Sequence, residues 1–425
     1  MKRISIFACM TVLLSAGLVW GADKVHIDIQ ARQFKKLSVA MPAFVGPPDL
    51  VASVWDTCSR DLAVTGVFSL IDPQSYIHPG PMKSIGPGTL KDWILIGADY
   101  VIAGEVARQG ATVSFSVQVI ELSTAKILMN TIYTTKADSV YRGVHAFMDA
   151  FMAKAVGIEG IFSSKIVCIQ KVGKKKQLYE SWCDGSGGRV IQGGGDLVLS
   201  PAWSPDGKKI AFVSYWRNNP DIYILDLFNY KVSTVSSEKG INSTPCFDPT
   251  GDRLACTLSK DGNPEIYMLD LKKKTQLRLT DSWATDTSPS ISPDGKKVAF
   301  CSSRAGSPQI YILDIASKKV ERITFAGTYN TEPAYSPNGD LIAFTHLAED
   351  RRFHIAIIRT DGSKMSVLAG TGTGDESPAF SPDGRLIAFG SSGGNIYIAD
   401  IFNTMTVRIT TGGGFTQPRW SGIIR

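Results

Sequence analysis

From residue 160 onward the apolar positions come in short runs of four to six, each bounded by polar turn residues, and the runs return at a fixed interval. The stretch Pro201-Ala202-Trp203-Ser204-Pro205-Asp206-Gly207 has counterparts around Pro249, Pro293, Pro337 and Pro382. Prolines 205, 249, 293, 337 and 382 step by 44, 44, 44 and 45 residues. A period of this length marks a repeat architecture in which each unit buries its apolar faces against its neighbours. Each unit parses into four short strands: Pro-Ala-Trp-Ser, then Lys-Ile-Ala-Phe-Val-Ser, then Asp-Ile-Tyr-Ile-Leu-Asp, then Lys-Val-Ser-Thr-Val. Between the first two, Pro presets φ and Asp-Gly supplies a side-chain acceptor and a permissive backbone, so a reverse turn is expected. The third strand carries Tyr223, Tyr267, Tyr311 and Tyr397, with Asp226, Asp270, Asp314 and Asp400 three residues on. One blade has Ala356 in place of the aromatic. This blade and the first end their third strands in Asp361-Gly-Ser363 and Asp184-Gly-Ser186, read as longer hairpins and not as sites.

Four strands per 44 residues is the signature of a β-propeller blade, and 265 residues hold about six of them. Five units are complete. The sixth is split: residues 164–172, 178–184 and 188–192 read as second, third and fourth strands, while Pro418-Arg-Trp420-Ser-Gly422 copies a first strand. Pairing of this last strand with the first blade closes the ring and removes the two edges a linear array would expose.

Residues 22–160 show no repeat. The pattern predicts strands at 37–41, 67–71 and 100–104, helices over 50–63 and 89–96, a hairpin of 113–122 with 126–135, and an amphipathic helix over 140–156. This is an α/β domain with a mixed sheet, and breaker-rich Pro73 to Gly88 is a loop. The expected organisation is a signal peptide at 1–21, an α/β domain at 22–160 with a free arm at 22–33, and an all-β six-bladed β-propeller at 161–425.

The signal reading rests on Lys2 and Arg3 ahead of an uncharged apolar run from Ile4 to Trp20, with cleavage expected after Gly21. No other stretch approaches the roughly 20 apolar residues that cross a bilayer, so an exported chain not embedded in the membrane is expected. Cys9 leaves with the signal, and no lipoprotein anchor is expected. The formal charge of +6 falls to +4 without Lys2 and Arg3, too mild a balance to imply nucleic acid. Mean hydropathy of +0.02 and 9% aromatic residues exclude a disordered chain. Six cysteines remain without tight spacing. Buried thiols are the main expectation, and disulfides Cys246–Cys256 or Cys168–Cys183 across predicted hairpins are the alternative.

Catalytic signatures are weak. Gly390-Ser-Ser392-Gly-Gly394 matches a nucleophile-elbow string but falls in an intra-blade loop with no helix behind it. The histidines show no ligand spacing. His346 and His354 flank one loop and could meet there. The glycine runs 193–195 and 370–374 read as connections between blades. No catalytic residue, metal site or cofactor is therefore expected.

What the ring offers is its loops. The connections into the first strands converge on one mouth of the channel and place Asn242, Thr244, Asp286, Thr287, Asn330, Thr331, Glu332, Asp375, Glu376 and Gln417 there. Polar and acidic groups around a concave mouth suit a protein loop or a cation better than an apolar metabolite.

The signal, Leu37-Ser-Val-Ala-Met-Pro-Ala-Phe44, Gly97-Ala-Asp-Tyr-Val-Ile-Ala-Gly104 and the Ser-Pro-Asp-Gly blades together resemble the TolB family of the Tol–Pal system. The resemblance covers essentially the whole mature chain. It implies a non-enzymatic periplasmic adaptor, a monomer, supporting outer-membrane integrity and envelope constriction at cell division. It also implies that the mouth residues bind the lipoprotein Pal. The arm residues Ala22, Asp23, Lys24, Val25, His26, Ile27, Asp28 and Ile29 would contact TolA, and outer-membrane proteins or colicins would be further partners. Two other readings compete: an exported hydrolase filtered by a propeller, and a carbohydrate- or metal-binding propeller.

Overall fold

The computed structural model describes residues 36–191, 195, 197–368, 370–402 and 405–424. The arm residues Ala22 to Ile29 and the signal segment lie outside these.

The first helix, α1 (Pro48–Val64), begins where Pro48 meets the fixed φ of a first helical turn and where Asp49 faces the positive end of the helix dipole. Leu50, Val54, Cys58 and Leu62 recur every four residues and form its buried stripe. A short helix α2 (Leu90–Leu95) follows, and α3 (Val140–Val156) buries Val144, Phe147, Met148, Phe151 and Met152. Gly157 ends α3 with φ +70, a left-handed cap that glycine takes without strain. Helices α1 and α3 cover one face of a five-stranded sheet built from β1 (Leu37–Ala40), β2 (Phe68–Leu70), β3 (Tyr100–Gln109), β4 (Thr112–Glu121) and β5 (Lys126–Lys136). The order is β2-β1-β3-β4-β5, parallel across the first three strands and antiparallel beyond. Its other face packs Ala40, Val101 and Ala103 on Tyr76 and Trp93 from the segment that carries α2. The mixed sheet read from the pattern is thus present, with helix ends within two residues of those expected.

Six four-stranded antiparallel sheets follow and form the blades. Blade I joins residues 164–191 to Phe415–Ile423; blades II to VI span 198–236, 242–278, 286–322, 330–367 and 375–408. The closing strand pairs Trp420 with Ile166 and Thr416 with Ile169, so the ring shuts by the exchange expected from the split repeat. Inside the blades, the third-strand tyrosines face second-strand residues: Phe212–Tyr223, Phe300–Tyr311 and Phe389–Tyr397 lie 5.8, 5.9 and 6.0 Å apart. Where Ala356 replaces the tyrosine, it sits opposite Phe344.

The Ser-Pro-Asp-Gly turns repeat one geometry: the Ser204 hydroxyl donates to Asp206 at 2.6 Å, and Lys209 N–H donates back to Ser204 Oγ at 2.9 Å. All six cysteines described are free thiols, five of them buried, and no disulfide joins the two candidate pairs. Burial pushes the thiols of Cys58, Cys168, Cys183 and Cys256 upward, which leaves them protonated and inert.

The α/β domain sits away from the mouth, against hairpins that join third to fourth strands in blades I and VI. Gly66 of the domain approaches Asp400 and Met405, and Arg60 reaches Asp184.

Candidate functional site

Each inner strand is interrupted at its third residue. Ser200, Thr244, Ser288, Glu332, Ser377 and Gln417 all have positive φ between 47 and 59, each precedes a proline, and each lies at a register shift against the second strand. A left-handed non-glycine residue costs roughly 1 kcal/mol or more, so the surroundings must hold it. They do so from blade to blade. The Glu332 carboxylate accepts from Ser377 N–H at 2.9 Å, Ser377 Oγ at 2.9 Å and Thr345 Oγ1 at 2.9 Å. Gln417 Oε1 accepts from Ser200 N–H at 2.9 Å, and Thr244 bonds Thr257, which donates to Thr287.

One level above, at the start of the inner strands, Asn242, Asp286, Asn330 and Asp375 are fully buried. Asn242 donates to Glu238 and Gly240 carbonyls and accepts from Ser236. Asp286 pairs with Arg304 at 2.6 Å, and Asn330 bonds Gln309 and His346. Asp375 accepts from Thr371. Burial raises the Asp286 and Asp375 pKa values, opposed by Ser302 and Arg304 in the first case and by Thr371 in the second. These four side chains brace the loops between blades and leave little of themselves for a partner. Thr287 and Thr331 are half-buried and Glu376 is exposed. Burial and the neighbouring Glu332 charge raise the Glu376 pKa.

The groups that do face outward at this end are aromatic. Trp283 is 80% exposed, Phe325 73% and Trp216 62%, and Tyr215 and Tyr329 are also exposed. All lie in loops at the mouth end of blades II to V, between second and third strands or leading into the next blade. Opposite them the rim is glycine: the loops at 393–394 and 412–414 press backbone to backbone, a Cβ on Gly394 falling 2.7 Å from Gly414 N. The mouth therefore has an aromatic side and a low, smooth side. Such aromatics in a polar surround are the residue types that anchor protein interfaces. The sequence signal available for them was large rings in loops that no strand periodicity claims.

The candidate histidine pair faces across a hairpin, His346 opposite His354, but each has another partner: Asn330 for His346 and Asp350 for His354. Among the described residues, one group places metal-type ligand atoms within 4.8 Å of one another: Asp61, His145 and Asp184, at the joint between domains. Protein partners already use these atoms. His145 Nδ1 lies 2.9 Å from Asp61 Oδ2, its Nε2 is 3.9 Å from Asp184 Oδ1, and Asp184 Oδ2 takes Arg60 Nε at 3.0 Å. Burial pushes Asp61 up to about 7 against the pull of His145. For His145, burial lowers the pKa, but the Asp61 charge and hydrogen bond, with Asp184 and Asp149 behind, leave it above its ordinary value. Trp182 packs on the ring at 5.2 Å. The Asp184 hairpin, read from sequence as a longer hairpin and not as a site, is thus also the propeller's grip on α1 and α3.

Fold and mouth together define a two-domain β-propeller that offers one rigid, asymmetric rim of loops. Family comparison agrees in both parts: the TolB beta propeller domain matches residues 152–424, and the TolB amino-terminal domain matches residues 25–128. The chain belongs to the TolB family. It is 30% identical over 236 residues to the Tol-Pal system protein TolB of Paramagnetospirillum magneticum, covering 53% of this chain and 52% of that one. To the protein of the same name in Syntrophus aciditrophicus it is 33% identical over 221 residues, 49% of this chain and 48% of the relative. The chain thus spans about half the length of the curated relatives it matches. The crystal structure of TolB from Acinetobacter baumannii superposes with a TM-score of 0.80 at 28% identity, covering 92% of this chain and 97% of that one. No helix among the described residues is long and apolar enough to cross a membrane.

Proposed function

We propose that this protein is a non-enzymatic periplasmic component of the Tol–Pal system whose propeller mouth binds the lipoprotein Pal. In this reading residues 1–21 are removed on export, 22–160 form the α/β domain, and 161–425 form the ring. The arm at 22–33 contacts TolA, and the two interactions support outer-membrane integrity and constriction at division. Support for the system comes from the names of the relatives and from the match to the Acinetobacter structure along nearly its whole length. The arm assignment rests on family resemblance alone.

The observation that carries the mouth assignment is the exposed row Trp216, Trp283 and Phe325 standing on buried braces. Rigid aromatics bind without a large ordering cost, and bracing by Asn242, Asp286, Asn330 and Asp375 keeps them in place. Thr244, Thr287, Thr331, Glu332 and Gln417 then shape the throat, and Glu376 is the carboxylate free to meet the partner. Calorimetric titration of the mature protein with the soluble domain of its own organism's Pal tests this. Trp283→Ala with Phe325→Ala is expected to weaken binding more than tenfold, about 1.4 kcal/mol, with an unchanged melting temperature. Absence of binding, or binding indifferent to these changes, overturns the assignment. Asp286 and Glu332 are unsuited to this test, because removing either loosens the rim itself.

A further inference from the structure

Immediately after the proline of each inner strand, blades II to VI carry small residues: Ala202, Cys246, Ser290, Ala334 and Ala379. Blade I carries Arg419 at the same position. All six line the central channel, a cavity of about 450 Å³ that runs from the ring of left-handed residues to the turns at Pro337 and Pro382. One long cation therefore enters a level of the channel otherwise walled by small side chains.

The guanidinium has five N–H donors in a planar fork. One is used: Nη1 donates to Pro418 O at 2.8 Å. Among the described residues no carboxylate comes within 4.0 Å of it. Glu332, the acidic group whose charge reaches it, has both oxygens engaged by Ser377 and Thr345. Burial works against the charge of Arg419 and lowers its pKa, with Glu332 and Cys246 opposing. The remaining wall mixes aromatic rings, Trp203, Phe247, Phe380 and Trp420, with the hydroxyls of Ser290, Ser381 and Ser421.

A planar donor fork with one N–H engaged, reaching into a channel of small side chains, hydroxyls and aromatic rings, suits a planar two-oxygen anion on a short stem. We infer that Arg419 makes the central channel a carboxylate-binding site, filled by a free aliphatic carboxylate or by the side chain of an Asp or Glu on a partner's loop entering through the mouth. The second source rests on the partner reading above. Blades II, V and VI hold alanine at this level, so Arg419→Ala places in blade I what the ring already accommodates.

Calorimetric titration of the mature protein with glutarate, with glutaramide as the uncharged control, tests the site directly, and titration with the soluble domain of Pal tests the carried source. Glutarate is expected to bind saturably and glutaramide not. Arg419→Ala is expected to weaken glutarate at least tenfold at an unchanged melting temperature, with Arg419→Lys intermediate. If glutarate binds this way and Pal does not bind, the site stands for free carboxylates and the partner reading fails. If glutarate is silent but Arg419→Ala weakens Pal at least tenfold, the site stands for a carried carboxylate. If neither ligand responds to Arg419→Ala, the carboxylate site is overturned, and Pal binding that persists leaves the mouth reading intact.

Discussion

The hairpins Asp184-Gly185-Ser186 in blade I and Asp361-Gly362-Ser363 in blade V have the same sequence and the same turn. In both, serine N–H donates to the aspartate Oδ1 at 2.9 Å, serine Oγ donates to it at 2.6 Å, and the glycine φ is 84 or 82. Asp361 nevertheless lies in solvent, where its serine holds its carboxyl below the usual range, while Asp184 is buried at the domain joint against Arg60 and His145. Local chemistry makes the turn in both places. Only the packing of another domain gives one of them a second task.

The sharpest way to separate the two is to remove the carboxylates. Asp184→Ala strips Arg60 of its carboxylate and opens a cavity beside His145 Nε2, while Nδ1 keeps Asp61, and a loss of about 3 kcal/mol is expected in urea unfolding. Asp361→Ala should cost only the turn's two exposed hydrogen bonds, about 1 kcal/mol or less. If both variants unfold alike, the joint contributes nothing beyond the turn.

The glycines sharpen the same contrast. A Cβ on Gly185 would fall 2.1 Å from the Ile409 carbonyl oxygen, whereas one on Gly362 meets Ile323 O at 3.3 Å. Gly362→Ala then carries mainly the strain of a left-handed alanine, about 1 kcal/mol. Gly185→Ala must also move backbone and is expected to lose about 2 kcal/mol or more, again read from unfolding midpoints.

The smallest effect is the one that reads the joint's charge. His145 keeps its proton to higher pH in the folded protein than in the unfolded chain, because Asp61 and its neighbours outweigh burial. The folded state therefore binds more protons above pH 6.5, so the contribution of the pair is full below that value and is lost as pH rises through the raised pKa. Stability should therefore fall as pH rises above 6.5, with Asp61, raised to about 7, releasing its proton in the same range and in the same sense. His145→Gln should flatten this slope, and a slope that survives the substitution locates the titration elsewhere.

The ring was legible because its signals are local. A Pro-Asp-Gly turn every 44 residues, one tyrosine per third strand and a stray Pro-Arg-Trp-Ser near residue 420 suffice to count blades and to close them. The α/β helices were equally plain from their four-residue stripes. At the mouth, the inner-strand break defeats a period-two reading, since one left-handed residue reverses which side chain faces the lumen. Asn242, Asp286, Asn330 and Asp375 were readable as polar groups near the rim but not as buried braces. The joint left only a faint trace: Asp61 and His145 are 84 residues apart, each a titratable group on an otherwise apolar helix face. Their meeting with Asp184 is a property of how two domains dock.

Closure of the ring has a consequence in time. Ser164 and Trp420, bonded in blade I, are 256 residues apart. Loop entropy grows only logarithmically with such a span, so the distance takes little from final stability, yet contacts this remote form late. Blade I also carries the Asp184 hairpin and Arg419. The two features of blade I therefore differ: the Asp184 hairpin is made by residues 175–191 and meets α1 and α3 without the closing strand, whereas Arg419 reaches the channel only when the ends of the ring come together.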